Sequence, residues 1–136
     1  VSVITRLLKV HSSFVPLMSA VFGTWVAANA DDYRSVYSCE LKKEKTMDDV
    51  RLHNSKWVTF VNNNVEGSGI TSHIITGIMG DVTPGKFGFV DSYPSLQSWA
   101  AQQAVIESTD EGKALGKEMR EILECTEARL YKAEKS

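Results

Sequence analysis

FGFVDSYPSLQSWAAQQ, residues 87–103, is the stretch on which the fold turns. Phe87, Phe89, Asp91 and Tyr93 fall at every second position, so the first half reads as a strand whose aromatic face is interrupted by one acid. Pro94 ends that strand. Ser95 then offers a hydroxyl to the free amides of a helix start, and SLQSWAAQQAVIES continues as a helix.

Working outward, ITSHIITGIM (70–79) reads as a strand, and the turn GDVTPG joins it to KFGFVDSY (86–93) as an antiparallel hairpin. Before it, Thr46 and Asp49 have the spacing of a capping box and open a helix that runs to about Asn62, where NNNVEGSG ends it. Its apolar stripe is Met47, Val50, Trp57, Val58 and Val61. YRSVYSCEL (33–41) alternates as a first strand, with Tyr33, Ser35, Tyr37, Cys39 and Leu41 on one face. On the far side, Thr109 recaps DEGKALGKEMREILE, with Leu115, Met119, Ile122 and Leu123 as its stripe, and CTEARLYKA (125–133) alternates as a last strand.

The order is therefore β, α, β, β, α, β. An α+β, ferredoxin-like βαββαβ arrangement follows, with a four-stranded antiparallel sheet and its helices on one face. The other face is left bare, and a second copy of the sheet is the simplest cover for it.

Residues 1–30 have the pattern of a signal peptide: Arg6 and Lys9 at the start, an apolar run from Phe14 to Phe22, and Ala28-Asn29-Ala30 as a cleavage site for small side chains. The apolar run is too short for a membrane span of about 20 residues. The reading is an exported protein, periplasmic or secreted, whose residues 31–136 form one domain; the plainer alternatives are a native amphipathic helix at the N-terminus, or translation that begins at Met18. All 17 acidic residues fall after residue 30, whereas two of the 15 basic ones lie before it, leaving a domain of net charge about −4. No basic stripe is present, which argues against nucleic acid as a partner.

The segment from Phe87 to Gln103, a strand passing through Asp91-Ser92 into a capped helix with an aromatic on its first turns, resembles the dimeric α/β-barrel superfamily. Within it, the nearest similarity is to antibiotic biosynthesis monooxygenase-like domains. The resemblance implies a homodimer with sheets back to back and, in each subunit, a pocket between sheet and helices for a small, mostly apolar or aromatic molecule. Haem-binding members carry a histidine on the helix after the third strand. Here that place is held by Trp99 or a near neighbour, so no haem ligand and no other cofactor is expected.

Cys39 and Cys125 sit in first and last strands that this fold sets side by side; in an exported protein they are expected to pair, and in a reducing compartment to remain two buried thiols. His73 and Asp91 occupy hairpin partners. They are the candidates for a catalytic base, an imidazole held by a carboxylate; the plainer reading leaves His73 solvated and Asp91 capping the helix or paired with a lysine. Asn54, Trp57, Tyr93 and Trp99 are the candidate ligand-binding residues, although tryptophans at helical spacing are as a rule core. Asn54 is the more informative, because an amide on a buried face must find a partner. His53, at the stripe's edge, is expected in solvent. Two separated histidines with no carboxylate at ligand spacing make no metal site.

Three functional readings stay open. The first is an exported small-molecule-binding protein. The second is a cofactor-independent monooxygenase- or isomerase-like enzyme acting on an aromatic or carbonyl compound, and the third is a structural or partner-binding module.

Overall fold

The computed structural model describes residues 32–136, and the expected signal segment, residues 1–30, lies outside them. Strand β1 spans Asp32–Leu41, helix α1 Met47–Asn64, β2 Thr71–Ile75, β3 Lys86–Tyr93, α2 Leu96–Ser108, α3 Asp110–Ile122 and β4 Leu123–Ala133. The strands form one antiparallel sheet in the order β2-β3-β1-β4. This is the ferredoxin-like α+β fold expected from the element order.

Local chemistry sets the helix starts. The Thr46 hydroxyl accepts from the Asp49 amide (3.3 Å) while the Asp49 carboxylate accepts from the Thr46 amide (2.9 Å), closing the capping box. Ser95 caps α2 by accepting from the Ser98 amide, and Thr109 caps α3 by accepting from the Gly112 amide, both at 3.0 Å. Helix α1 runs two residues past the expected Asn62. Asn62 instead clamps the next strand, its amide donating to the Ile70 carbonyl (2.8 Å) and its side-chain oxygen accepting from the Ile70 N–H (3.0 Å).

Strand β2 is shorter than the alternation from 70 to 79 suggests, because pairing with β3 stops at Ile75. Gly77 is the reason. A Cβ there would stand 2.2 Å from the Asp81 carbonyl oxygen, so the chain has already folded into a tight loop that no larger residue could enter. Ile78 and Met79 consequently project outward, fully exposed.

Strand β4 departs from simple alternation in a second way. Ser38 pairs with Glu127, but Cys39 pairs with Cys125, so Thr126 is an extra residue in the β4 ladder. The bulge reverses which face the odd-numbered residues of β4 take. Without it, Thr126 would lie opposite Cys39 and Cys125 would face away. With it, Cys39 and Cys125 meet and form a disulfide with an S–S distance of 1.99 Å.

The core between sheet and helices has two apolar ends. At one, Val50, Phe87, Phe89, Ile122 and Leu123 pack around Cys39. At the other, Phe60, Val61, Val65, Ile70, Tyr93 and Leu115 pack together, with Trp57 and Trp99 against them. Each fully buried side chain of this size stabilises the fold by about 1.5 to 3 kcal/mol. Between the two ends the buried residues change character, to Ser35, His53, Asp91 and Gln102.

Candidate functional site

The polar middle of the core lines a cavity of about 390 Å³ between the helices and the sheet. Three elements contribute to it in the same way. On β3, Asp91 falls between Phe89 and Tyr93; on β1, Tyr37 lines the cavity, two residues after Ser35, which pairs with Asp91; on α1, His53, Asn54 and Trp57 fall between Val50 and Phe60. Strand and helix periodicities bring these residues to the level where the two apolar ends leave a gap.

Asp91 is buried, and its Oδ1 accepts a hydrogen bond from the Ser72 hydroxyl. That hydroxyl has one proton to give, so its lone pairs remain to accept from the Asn54 side-chain amide at 3.0 Å. The chain Asn54 to Ser72 to Asp91 thus ties α1 to β2 and β3. Asp91 Oδ2 has no partner among the described residues, yet no buried side-chain oxygen or nitrogen there is left unsatisfied, so Oδ2 opens to the cavity.

Burial pushes the Asp91 carboxyl up to about 6, against the opposing effects of the Ser72 hydrogen bond and the charge of His73. Burial also raises the Tyr37 phenol, tempered by a hydrogen bond with Ser35. Tyr93 is raised for the same first reason, with the negative charge of Asp91 adding to it. A carboxylate with a pKa near 6, open on one side to an apolar cavity, is equipped to take a proton from a bound molecule at neutral pH.

The expected site residues divide. Asn54, Trp57 and Asp91 line the cavity as a set. Tyr93 and Trp99 do not: Tyr93 is enclosed in the apolar end, where its hydroxyl donates to Gln102 Oε1 (3.3 Å), and Trp99 packs beside it. The His73–Asp91 pair is not formed. Ser72, not His73, lies opposite Asp91, so His73 pairs with Val90 on the other face and is exposed.

His53, expected in solvent, is instead only 4% exposed and lines the cavity, its Nε2 donating to the Leu115 carbonyl at 2.8 Å. The buried Gln102 and its neighbour Gln103 complete the polar lining from α2, with Gln103 donating to Gln102 Oε1 at 3.4 Å. A signal for Gln102 existed in the sequence. It falls three residues after Trp99, on the side of the helix that meets the sheet.

A second hollow, of about 470 Å³, lies on the opposite sheet face around Gly88, between Val36, Glu40, Ile75 and Lys86. No described helix covers that face. Gly88 leaves its floor without a side chain, since a Cβ there would meet the Tyr37 carbonyl oxygen at 2.5 Å. None of the buried polar residues of the core lines it. The helix–sheet cavity is therefore the better candidate site.

No protein family's sequence profile matches the chain, and no curated protein matches it either. Solved structures do. SnoaB, a cofactor-independent oxygenase from Streptomyces nogalater, superposes with a TM-score of 0.57 at 9% identity, over 79% of this chain and 97% of that one. A nipsnap family protein of unknown function from Agrobacterium tumefaciens gives 0.54 at 12% identity, over 77% and 90%. A NIPSNAP-like domain protein from Burkholderia xenovorans gives 0.52 at 10%, over 79% and 87%. At these identities the likeness is one of fold, and it agrees with the superfamily resemblance read from residues 87–103.

Proposed function

We propose that this protein binds a small, mostly apolar or aromatic molecule in the helix–sheet cavity. The observation that carries the reading is the polar middle of the core. A small domain has little stability to spare, yet this one places a carboxylate, an imidazole and two amides where apolar packing would stabilise it more. Trp57, Phe89 and Met119 supply the apolar walls, and Asn54 and Asp91 supply polar contacts, the usual composition of a ligand pocket. The working protein is an exported homodimer without a cofactor. Residues 1–30 direct export, the Cys39–Cys125 disulfide suits an oxidising compartment, and a second copy covers the sheet face around Gly88. Titration with 2-naphthol followed by amide chemical shifts tests the pocket. Shifts centred on Tyr37, Asn54, Trp57 and Asp91 are expected; no shifts, or shifts confined to the Gly88 face, would remove it.

A second reading, catalysis, is favoured by the Asp91 carboxylate and by the fold shared with a cofactor-independent oxygenase. Asp91 takes the proton from a carbon next to a carbonyl, and the cavity amides stabilise the enolate that results. Deuterium wash-in from heavy water into 2-tetralone measures that step directly. Asp91→Asn is expected to slow the protein-dependent wash-in by about 100-fold or more; an unchanged rate removes Asp91 as the base.

A further inference from the structure

Of the polar groups in the cavity, His53 is the one whose hydrogen-bonding state the fold fixes outright. Its Nε2 lies 2.8 Å from the Leu115 main-chain carbonyl. A carbonyl oxygen can only accept, so Nε2 must carry the proton. In the neutral ring the other nitrogen, Nδ1, is then a lone-pair acceptor. Nδ1 has no partner among the described residues, although His53 as a whole is 96% withdrawn from solvent. No fully enclosed side-chain nitrogen or oxygen is left unsatisfied among those residues either, so Nδ1 is reached from the cavity that His53 lines.

The neighbouring groups are committed differently. Asn54 gives its amide to Ser72, Ser72 gives its proton to Asp91 Oδ1, and Gln102 Oε1 accepts from both Tyr93 and Gln103, so that Asp91 Oδ2 is the other acceptor open to the cavity. Resting on the pocket reading above, we propose that His53 is the specificity-determining residue of the cavity: its Nδ1 selects ligands that present an O–H or N–H donor and discriminates against equally shaped ligands that do not. A ligand without the donor buries Nδ1 with no partner, and a site built around such a group rejects the wrong ligand strongly.

Matched probes test this on the intact protein. 2-Naphthol and 2-methoxynaphthalene share a ring system, but only the first has a donor. Wild-type protein is expected to bind the naphthol about tenfold more tightly. His53→Phe is expected to remove most of that preference while still binding the ether, Asp91 Oδ2 accounting for the remainder, and His53→Gln, which keeps one donor and one acceptor, to restore part of it. Nitrogen-15 spectra of the wild-type imidazole give a readout that needs no variant to fold. Naphthol is expected to move the Nδ1 resonance, and the ether to leave it in place. Binding of both probes without preference, or a preference undiminished in His53→Phe, overturns the role of His53 and leaves the pocket intact. Failure of both probes to bind overturns the pocket and His53 with it.

Discussion

The two ends of the core and its middle are made by the same helices and strands, yet they are built on opposite rules. At the ends, α1 contributes Val50 on one side and Phe60 and Val61 on the other, and β3 contributes Phe87 and Tyr93. In the middle the same elements turn in His53, Asn54 and Asp91. The ends hold the domain together. The middle gives up packing and leaves a carboxylate and an imidazole at the edge of a cavity.

Breaking the ends is expected to cost most. Replacing both Cys39 and Cys125 by serine frees an 86-residue separation in the unfolded chain and lowers stability by about 4 to 5 kcal/mol on the chain-entropy account, measurable by urea unfolding. Phe60→Ala, at the other end, is expected to cost about 3 to 5 kcal/mol in the same assay, through lost transfer energy and a cavity.

The middle is expected to respond with the opposite sign. Folding raises Asp91 from 3.8 to about 6, so the native state holds that proton more tightly than the unfolded chain does. The contribution of Asp91 to stability is whole below about pH 3.8, falls as pH rises through 6, and then levels, a total of about 3 kcal/mol. Asp91→Asn should remove that slope and make the protein more stable than wild type at pH 8. A parallel pair of stability–pH curves would show that Asp91 is not held in its protonated form by the fold. The smallest effect is expected for Gln102→Leu, about 1 kcal/mol, because the Tyr93 hydroxyl loses its acceptor while the packing volume is kept.

What the sequence made legible follows this division. Capping residues act over three positions, so Thr46, Ser95 and Thr109 could be read directly, and with them the element order. The ends of the core were legible because apolar residues at a fixed period need no partner to be recognised. His73 and Asp91 could not be separated in this way, since a shift of one residue in the hairpin register exchanges the faces of a whole strand. Ser72 takes the place opposite Asp91, and His73 is left exposed, as the plainer of the two readings has it. His53 was missed for a related reason. A histidine beside an apolar stripe resembles a solvated one until α3 supplies the Leu115 carbonyl from 62 residues away.

The bulge at Thr126 does more than bring two cysteines together. Tyr37, Thr126 and Glu127 line both the helix–sheet cavity and the hollow around Gly88 on the opposite face. The two concavities share a party wall one strand-crossing thick, riveted beside the bulge by the disulfide. Tyr37 runs through that wall, its side chain on the helix side of the sheet and its carbonyl against Gly88. One residue thus shapes both concavities, with its side chain on the helix side and its backbone on the other.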